Sequence, residues 1–91
     1  MRLVWSRLAH ADLVRLHAFL SPVAPRAANA IVRDLIAAAE RLADMPRIGQ
    51  RVDGYGSREV RRLIVGNYEM RYEVRERDIG IVRIWHCKED R

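Results

Sequence analysis

The sequence contains a single cysteine and no long apolar run. Cys87 has no second cysteine to pair with inside the chain, which excludes a disulfide-stapled secreted scaffold and favours a reducing compartment. Charge returns at Arg7 after a short apolar start, so nothing approaches the length of a signal-peptide core or a membrane span. We therefore expect a cytoplasmic protein that has no contact with a membrane.

Lysine is nearly absent as well, because Lys88 is the only one among 17 basic residues. Basic residues exceed the 12 acidic residues, which gives a formal net charge of +5. Such a surface attracts an acidic partner or a phosphate backbone, and the planar guanidinium of arginine pairs with carboxylate or phosphate at two points. Arginine is also abundant in the products of GC-rich genomes, so recognition and genome composition both stay open as explanations.

Length and composition limit the chain to one hydrophobic core. The chain has 91 residues, of which 49% are apolar and 32% are charged, a balance typical of a globular protein. Compact domains usually hold about 100–150 residues, which leaves no room for a second core. Residues 1–91 are therefore predicted to form one domain.

A short strand and two amphipathic helices are predicted in the first half of the chain. Residues 2–5 alternate as a strand does, and Ser6 can cap the helix that follows. Apolar stripes predict one helix to about residue 20 and a second over residues 25–43, opened by Pro25. The stripes consist of Ala9, Leu13, Leu16 and Leu20, and of Ala28, Ile31, Leu35, Ala38 and Leu42. The helices should form an antiparallel hairpin, with Asp12 directed away from the apolar stripe.

Three strands are predicted in the second half. Residues 68–74 alternate most clearly: the even positions are apolar, and the odd positions, including Glu69 and Arg71, are expected to face solvent. A hairpin signal at positions 66–67 connects them to residues 59–65, and a turn at positions 77–78 leads into residues 79–86. Residues 50–57 are expected to form a loop. The predicted fold class is α+β: an N-terminal strand, an antiparallel helical hairpin, and a three-stranded antiparallel meander with the helices packed on one face of the sheet.

No motif for a metal, a cofactor or an activated nucleophile is present in the sequence. His10 and His17 lie far along the chain from His86 and Cys87, which is not a spacing typical of metal ligands. His86 has no neighbouring nucleophile to activate. We therefore expect neither a metal nor a cofactor.

Short motifs are spread along nearly the whole predicted order of one strand, two helices and three strands. The motifs are Val4-Trp5-Ser6, Ala11-Asp12-Leu13, Pro46-Arg47-Ile48-Gly49, Ser57-Arg58-Glu59-Val60-Arg61, residues 68–74 and the ending at residues 82–91. In this order they resemble the RelE/ParE superfamily, the toxins of bacterial type II toxin–antitoxin systems, whose layout of elements is the same. The arginine, isoleucine, tryptophan, histidine and basic tail of that ending are similar to many ParE-like members.

The resemblance implies partners that composition alone does not show. It implies a cognate antitoxin, acidic towards its end, that wraps the toxin in a hetero-oligomer, and a net charge of +5 suits such a partner. ParE-like members inhibit DNA gyrase by protein contact and serve plasmid stabilisation, whereas RelE-like members cut messenger RNA, commonly on the ribosome. The fold alone does not decide between these targets.

Two departures from the nuclease pattern favour the ParE-like branch. The position often occupied by arginine in the nucleases is Glu69 here, and a carboxylate would repel the scissile phosphate. Cys87 and Lys88 follow His86 where many nucleases carry a tyrosine. The prediction is therefore gyrase inhibition by binding, without catalytic residues and without direct binding of nucleic acid. The alternatives are a RelE-like endoribonuclease and an inactive member that only binds its antitoxin.

Each of these interpretations assigns roles to particular residues. The predicted target-binding residues are Arg83, Trp85, His86, Lys88 and Arg91. The predicted antitoxin-binding residues are Leu16, Phe19 and Leu20, because an apolar groove beside the hairpin would otherwise stay exposed. The nuclease alternative would use Arg61, Arg83 and His86. For Arg83, pairing with a carboxylate of the same chain remains open, and Trp85 is either strand core or an anchor for a partner.

Overall fold

The computed structural model describes residues 1–88, in which two helices pack against a five-stranded sheet. The sheet order is β1-β5-β4-β3-β2. The elements are β1 Arg2–Trp5, α1 Arg7–Leu20, α2 Pro25–Asp44, β2 Gln50–Arg51, β3 Glu59–Val65, β4 Tyr68–Val74 and β5 Asp78–His86. The predicted α+β class, with a helical hairpin beside an antiparallel meander of β3, β4 and β5, is confirmed.

The first and last strands of the chain lie side by side. β1 pairs in parallel with the first half of β5, from Arg2 opposite Asp78 to Trp5 opposite Ile81. β5 also pairs antiparallel with β4, so the last strand lies inside the sheet. The turn before β5 closes with a hydrogen bond from the N–H of Arg75 to the carbonyl of Asp78, 2.9 Å long. Asp78 therefore begins the strand instead of belonging to the turn.

The segment expected to be a loop, residues 50–57, is not entirely irregular. Gln50 and Arg51 form β2 and pair antiparallel with Arg62 and Arg61. Gly49 makes this possible, because a Cβ there would lie 2.5 Å from the carbonyl oxygen of Arg62. The local sequence carries no alternation long enough to predict a two-residue strand, since its pairing depends on β3.

The core lies between the helices and one face of the sheet. Small alanines on both helices are fully buried and allow close packing, while Tyr72 and Met70 fill the sheet side. The buried cluster consists of Ala9, Leu13, Leu16, Leu35, Ala39, Leu42, Met70, Tyr72, Val74, Ile79, Ile81 and Ile84. The apolar stripes of both helices and the even positions of β4 therefore supply this core, as their periodicity predicts.

The opposite face of the sheet is less exposed than the alternation predicts. Glu69 is only 2% exposed and Arg71 is half-buried, so the expectation that both face solvent is wrong. The segment after β2 folds back towards this face, where the hydroxyl of Tyr55 accepts a hydrogen bond from Arg71 (3.1 Å). Trp85 lies opposite Glu69 on β5 and is also buried. Neighbours distant in sequence therefore cover the polar side of β4.

Tyr72 fastens the connection between α2 and β2 from inside the core. Its hydroxyl donates to the carbonyl of Pro46 (2.8 Å) and accepts from the N–H of Gly49 (2.9 Å). Burial raises the pKa of Tyr72 above its usual range, so the hydroxyl remains a neutral donor at physiological pH. One side chain thus satisfies two backbone groups of the connection.

We expect Tyr72→Phe to lower the free energy of unfolding by about 1–3 kcal/mol, because Pro46 and Gly49 lose a buried hydrogen-bond partner. Urea unfolding followed by circular dichroism measures the change. Tyr55→Phe is the matched control: its hydroxyl contacts one half-buried side chain, so the cost should be about 1 kcal/mol or less. Equal losses for the two variants would contradict the anchoring role of Tyr72.

Candidate partner-binding surface

Beyond the end of β1, the first helix and its N-terminal cap lie along the edge of β5. β1 reaches only as far as Ile81, and the next backbone groups of β5 are satisfied from α1 and its cap. The N–H of Ser6 donates to the carbonyl of Ile81 (3.0 Å), and its hydroxyl donates to the carbonyl of Val82 (2.8 Å). The same hydroxyl caps α1 by accepting from the N–H of Ala9 (2.9 Å). Ser6 therefore sets where α1 starts relative to the sheet.

Asp12, one to two turns further along α1, also contacts the edge of β5. The expectation that it points away from the core is wrong, because it is only 4% exposed. Its carboxylate accepts two hydrogen bonds from Arg83 (2.9 and 3.1 Å) and one from the N–H of Ile84 (2.8 Å). Arg15 approaches the same carboxylate at 3.3 Å. Of the two roles left open for Arg83, the structure shows pairing with a carboxylate of the same chain.

The electrostatics of Asp12 reflect two opposing effects. Burial alone would raise its pKa, but the hydrogen bonds from Arg83, Ile84 and Arg15 outweigh burial and lower the pKa below its usual range. The carboxylate is therefore charged at neutral pH. A charged, hydrogen-bonded Asp12 connects α1 to β5 across 71 residues of sequence.

Two guanidinium groups lie close to the ring of Trp85, which belongs to the other face of the sheet. The guanidinium carbon of Arg71 is 4.9 Å from the ring centroid of Trp85, and that of Arg83 is 5.9 Å away. Both distances are within the range of cation–π attraction. Glu69 pairs with Arg71 at 2.6 Å and lies 4.0 Å from Arg62. With 9% of its surface exposed, Trp85 contributes mainly to this internal stack, and its predicted contact with a target stays a prediction.

A cavity of about 650 Å³ opens between the C-terminal half of α1, α2 and the ends of β4 and β5. It is lined by Arg15, Leu16, Phe19, Leu20, Ile31, Asn67, Tyr68, His86 and Lys88. Phe19 is 81% exposed at its rim. The three predicted antitoxin-binding residues and two predicted target-binding residues, His86 and Lys88, therefore share one site.

Comparison with known proteins decides the family. The family model described as the ParE toxin of the type II toxin–antitoxin system parDE matches residues 3–91. The chain belongs to this family. Among solved structures it is similar to the "Chromosomal ParDE TA system from P. aeruginosa", with 25% identity, a TM-score of 0.80, and coverage of 94% of this chain and 95% of that chain. No curated protein matches the sequence significantly. The resemblance to the ParE-like branch is confirmed, and membership implies a cognate antitoxin partner.

The ParE fold separates the three residues that the nuclease alternative would use. Arg61 lies opposite Tyr72 and His86 lies opposite Tyr68, so both are on the helix side of the sheet but roughly 13 Å apart along β4. Arg83 lies opposite Arg71, so its side chain leaves the backbone on the other face of the sheet. Arg61 is held by Glu59 (2.8 Å) and by the carbonyl of Gly49 (2.8 Å). The register therefore does not bring these residues to one point.

His86 is oriented inside the cavity by its neighbours. Its Nδ1 accepts from the backbone N–H of Lys88 (3.1 Å), which leaves the proton of a neutral ring on Nε2. Tyr68 packs edge-on against the imidazole, with ring centroids 5.2 Å apart. The last predicted target-binding residue, Arg91, lies outside the described residues.

Several cavity residues, among them Arg15 and Tyr68, do not emerge as site residues from the sequence. Arg15 could have been found from helical spacing, because it precedes Phe19 by four residues. No sequence pattern predicts Tyr68 as a cavity residue, because only the pairing of β4 with β5 brings it near α1.

A second, shallower groove lies between the two helices. It is lined by His10, Leu13, Val14, His17, Ala18, Val32 and Ile36. Among residues 1–88, no group of three or more potential ligands is arranged to hold a metal, and no helix has the length and hydropathy needed to span a membrane.

The contribution of Asp12 to stability should depend on pH. Folding lowers its pKa, so its contribution is fully present above the pKa of an unfolded aspartate, about 3.9, and is lost as the pH falls through the folded pKa. We expect Asp12→Asn to lower the free energy of unfolding by about 1–3 kcal/mol at neutral pH. The gap to the wild type should shrink as the pH falls below about 4.

Chemical denaturation across this pH range measures the gap. Asp53→Asn is the control, because Asp53 is exposed in the loop after β2. A gap for Asp12→Asn that is independent of pH would show that the charge of this carboxylate does not hold α1 on β5.

Proposed function

We propose that this ParE-family toxin inhibits DNA gyrase by binding it, in the cytoplasm and without catalysis, until its antitoxin covers it. The ParE family match over residues 3–91 carries the proposal. The similar ParDE structure from P. aeruginosa supports it with a shared fold at 25% identity. The whole chain would act as one domain, and the target would be met by the C-terminal residues and the cavity beside them.

The charges of the sheet favour binding over RNA cleavage. Cleavage needs cations around the charge that develops on the phosphate. Arg58 pairs with Glu73 (3.0 Å), Arg61 with Glu59 (2.8 Å) and Arg83 with Asp12 (2.9 Å). Each of these guanidiniums already faces a carboxylate of its own chain, so they lend less charge to a bound phosphate. Glu69 adds a buried carboxylate to the same sheet.

The antitoxin is proposed to cover the apolar surface beside the hairpin, with Leu16, Phe19 and Leu20 as contacts. Leu16 is mostly buried, Leu20 is half-buried and Phe19 stands in solvent, so a partner gains most by covering Phe19. An acidic partner that wraps the toxin suits the net charge of +5. The expected assembly is a hetero-oligomer of toxin and antitoxin.

RNA cleavage remains a second candidate because of the cavity's composition. His86, Tyr68 and two cations, Arg15 and Lys88, line one site, and these residue types can serve as acid, base and charge stabiliser. The set differs from the one that the sequence suggested, since only His86 is common to both. The largely aliphatic and aromatic lining of the remaining wall favours protein binding.

Induction of the toxin in cells distinguishes gyrase inhibition from RNA cleavage. A gyrase inhibitor should halt DNA replication and trigger damage signalling while messenger RNA stays intact, and purified toxin should inhibit supercoiling by gyrase. His86→Gln should weaken inhibition by less than about 10-fold, since glutamine keeps hydrogen-bonding capacity and loses only proton exchange. A nuclease that uses His86 as acid or base should lose roughly 100-fold or more.

Gel analysis of ribosome-bound message and a supercoiling assay on the same preparation measure both outcomes. Rapid loss of full-length message with gyrase unaffected would replace the proposal with the nuclease. Absence of both activities, in a toxin that still binds its antitoxin, would identify an inactive family member.

Neutralisation by the antitoxin should depend on Phe19. The probe is the acidic protein expected from the gene beside that of the toxin. We expect Phe19→Ser to weaken the complex by at least about 10-fold, because an exposed aromatic ring that a partner covers is typical of binding hot spots. Val23→Ser is the control, since Val23 is 89% exposed but does not line the cavity.

Titration calorimetry on refolded toxin measures the affinities, and growth under co-expression measures neutralisation. Equal affinities for the two variants would place the antitoxin elsewhere on the surface. Absence of any acidic partner gene beside the toxin gene would count against neutralisation as such.

A further inference from the structure

In the part of the chain that the structure describes, no element packs over the outer face of the helical hairpin. The groove between the two helices has a volume of about 430 Å³, and its apolar lining includes Val14, Val32 and Ile36. Val14 is 57% exposed and Ile36 is 39% exposed. A partner that covered this face would gain free energy by removing apolar surface from water.

Two opposite charges border this groove on α2. Arg33 and Glu40 are seven residues apart, about two helical turns, so they project from the same side of the helix. The midpoint between them falls between Ile36 and Ala37, which are both exposed. Among residues 1–88, neither charged side chain makes a hydrogen bond or an ion pair. Both charges are therefore available to a partner.

The order of charges along this side of α2 is unfavourable within a single helix. Acidic residues are stabilising in the first turn of a helix and basic residues in the last turn, because of the helix dipole. Here Arg26 lies in the first turn and Asp44 is the last residue. Arg33 and Glu40 continue the same reversed order towards the middle of the helix. An antiparallel neighbour with the same order of charges would set each charge near an opposite one.

We propose that two copies of this chain associate through the outer faces of their hairpins, with the two α2 helices antiparallel. A twofold axis level with Ile36 and Ala37 places Arg33 of each copy opposite Glu40 of the other, so the same ion pair forms twice. The two Ile36 side chains meet beside these pairs. The occupant is a second copy because an antiparallel α2 supplies the complementary order of charges at the matching spacing. This inference goes beyond the proposed toxin function and does not depend on it.

The size of this contact predicts a weak dimer. The two α2 helices overlap over residues 29–44, about 24 Å, and a pair of packed helices is about 20 Å wide. Each copy therefore buries roughly 500 Å², and the total of about 1,000 Å² is small for a specific interface. The net charge of +5 on each copy opposes association, but a Debye length of about 8 Å at about 0.15 M salt screens it. We expect a dissociation constant in the micromolar range.

The proposed contact leaves the cavity beside β5 open. Phe19 and His86 line that cavity, whereas Val14, Ala18 and Ile36 line the groove on the outer face of the hairpin. One dimer therefore presents two cavities to its partners. A partner with two matching segments can engage both cavities and binds more tightly than a single segment does.

Sedimentation velocity on the full chain, made by cell-free synthesis, tests the contact. We expect the dimer fraction to rise between about 1 and 200 μM. Arg33→Glu and Glu40→Arg each place like charges in contact twice, so each should raise the dissociation constant by about 10-fold or more. Combining the two changes restores opposite charges and should bring the constant back to within about threefold of the wild type.

A wild type that stays monomeric at every concentration would overturn the proposal. So would a double variant that dimerises no better than the single variants. Arg41→Glu is the matched control for net charge, because Arg41 is exposed on α2 but projects from the same side as Asp34, which lines a small cavity at the β3–β4 turn. It should change the constant by about twofold or less. An effect equal to that of Arg33→Glu would show that net charge alone governs association, and the proposal would fail.

Ile36→Ser and Phe19→Ser distinguish the outer face of the hairpin from the cavity. Ile36 lies at the centre of the proposed contact, whereas Phe19 is 81% exposed at the rim of the cavity. Loss of dimer in Ile36→Ser, with Phe19→Ser unaffected and both variants folded by circular dichroism, supports the proposal. Any other pattern would place the contact elsewhere and overturn it. Because sedimentation of the chain alone reports only self-association, the result is independent of the gyrase and antitoxin assays.

Discussion

Asp12 joins the first helix to the last strand through two hydrogen bonds from Arg83 and one from the N–H of Ile84. β1 ends opposite Ile81, so without α1 the second half of β5 would present an unsatisfied edge. Ser6 and Asp12 supply the missing donors and acceptors from the helix side. Because the carboxylate is buried, its three hydrogen bonds from β5 hold the helix in place against the sheet.

That placement determines what lies at the far end of the helix. With Asp12 fixed on β5, the following turn carries Arg15, Leu16 and Phe19 across the end of the strand. The cavity forms there because α2 and the β3–β4 turn bound the remaining sides, through Ile31 and Asn67. On the opposite side of the sheet, Arg71 packs against the ring of Trp85 and its charge is matched by Glu69. The two sides of the molecule therefore differ: one has an apolar cavity that a partner can enter, and the other is covered by side chains of the chain itself.

The features that sequence predicts correctly are those governed by local periodicity. Apolar residues three and four apart identify a helix, and the alternation of Tyr68, Met70 and Tyr72 identifies β4, because both depend on residues a few positions away. The predictions for Asp12 and Glu69 are wrong for the same reason. A polar residue is buried only when a partner satisfies it, and the partner of Asp12 is Arg83, on a strand whose position local patterns cannot give. Glu69 pairs with nearby Arg71, but it lies opposite Trp85, which belongs to the same distant strand. The pair Gln50 and Arg51 likewise becomes a strand only through β3.

The sequence predicts only some of the residues that line the cavity. Leu16, Phe19 and Leu20 follow from the helical stripe, whereas Tyr68 and His86 approach them only through the register of β4 and β5. The assembly of the cavity is thus a property of the tertiary fold, even where its individual residues look ordinary. The roles assigned to these residues remain predictions.

The parallel pairing of β1 with β5 has a consequence for the order of events during synthesis. β5 is translated last, yet it lies between β1 and β4 and supplies both the strand neighbour of β1 and the contacts of Arg83 and Ile84 with Asp12. A nascent chain that has not released β5 therefore holds a first strand without this neighbour and an Asp12 carboxylate without these donors. Such pairing across most of the chain closes late, because the cost of ordering the intervening residues comes first. The sheet can therefore close only after β5 has left the ribosome, and a copy that terminates before β5 lacks the strand that joins the two ends of the sheet.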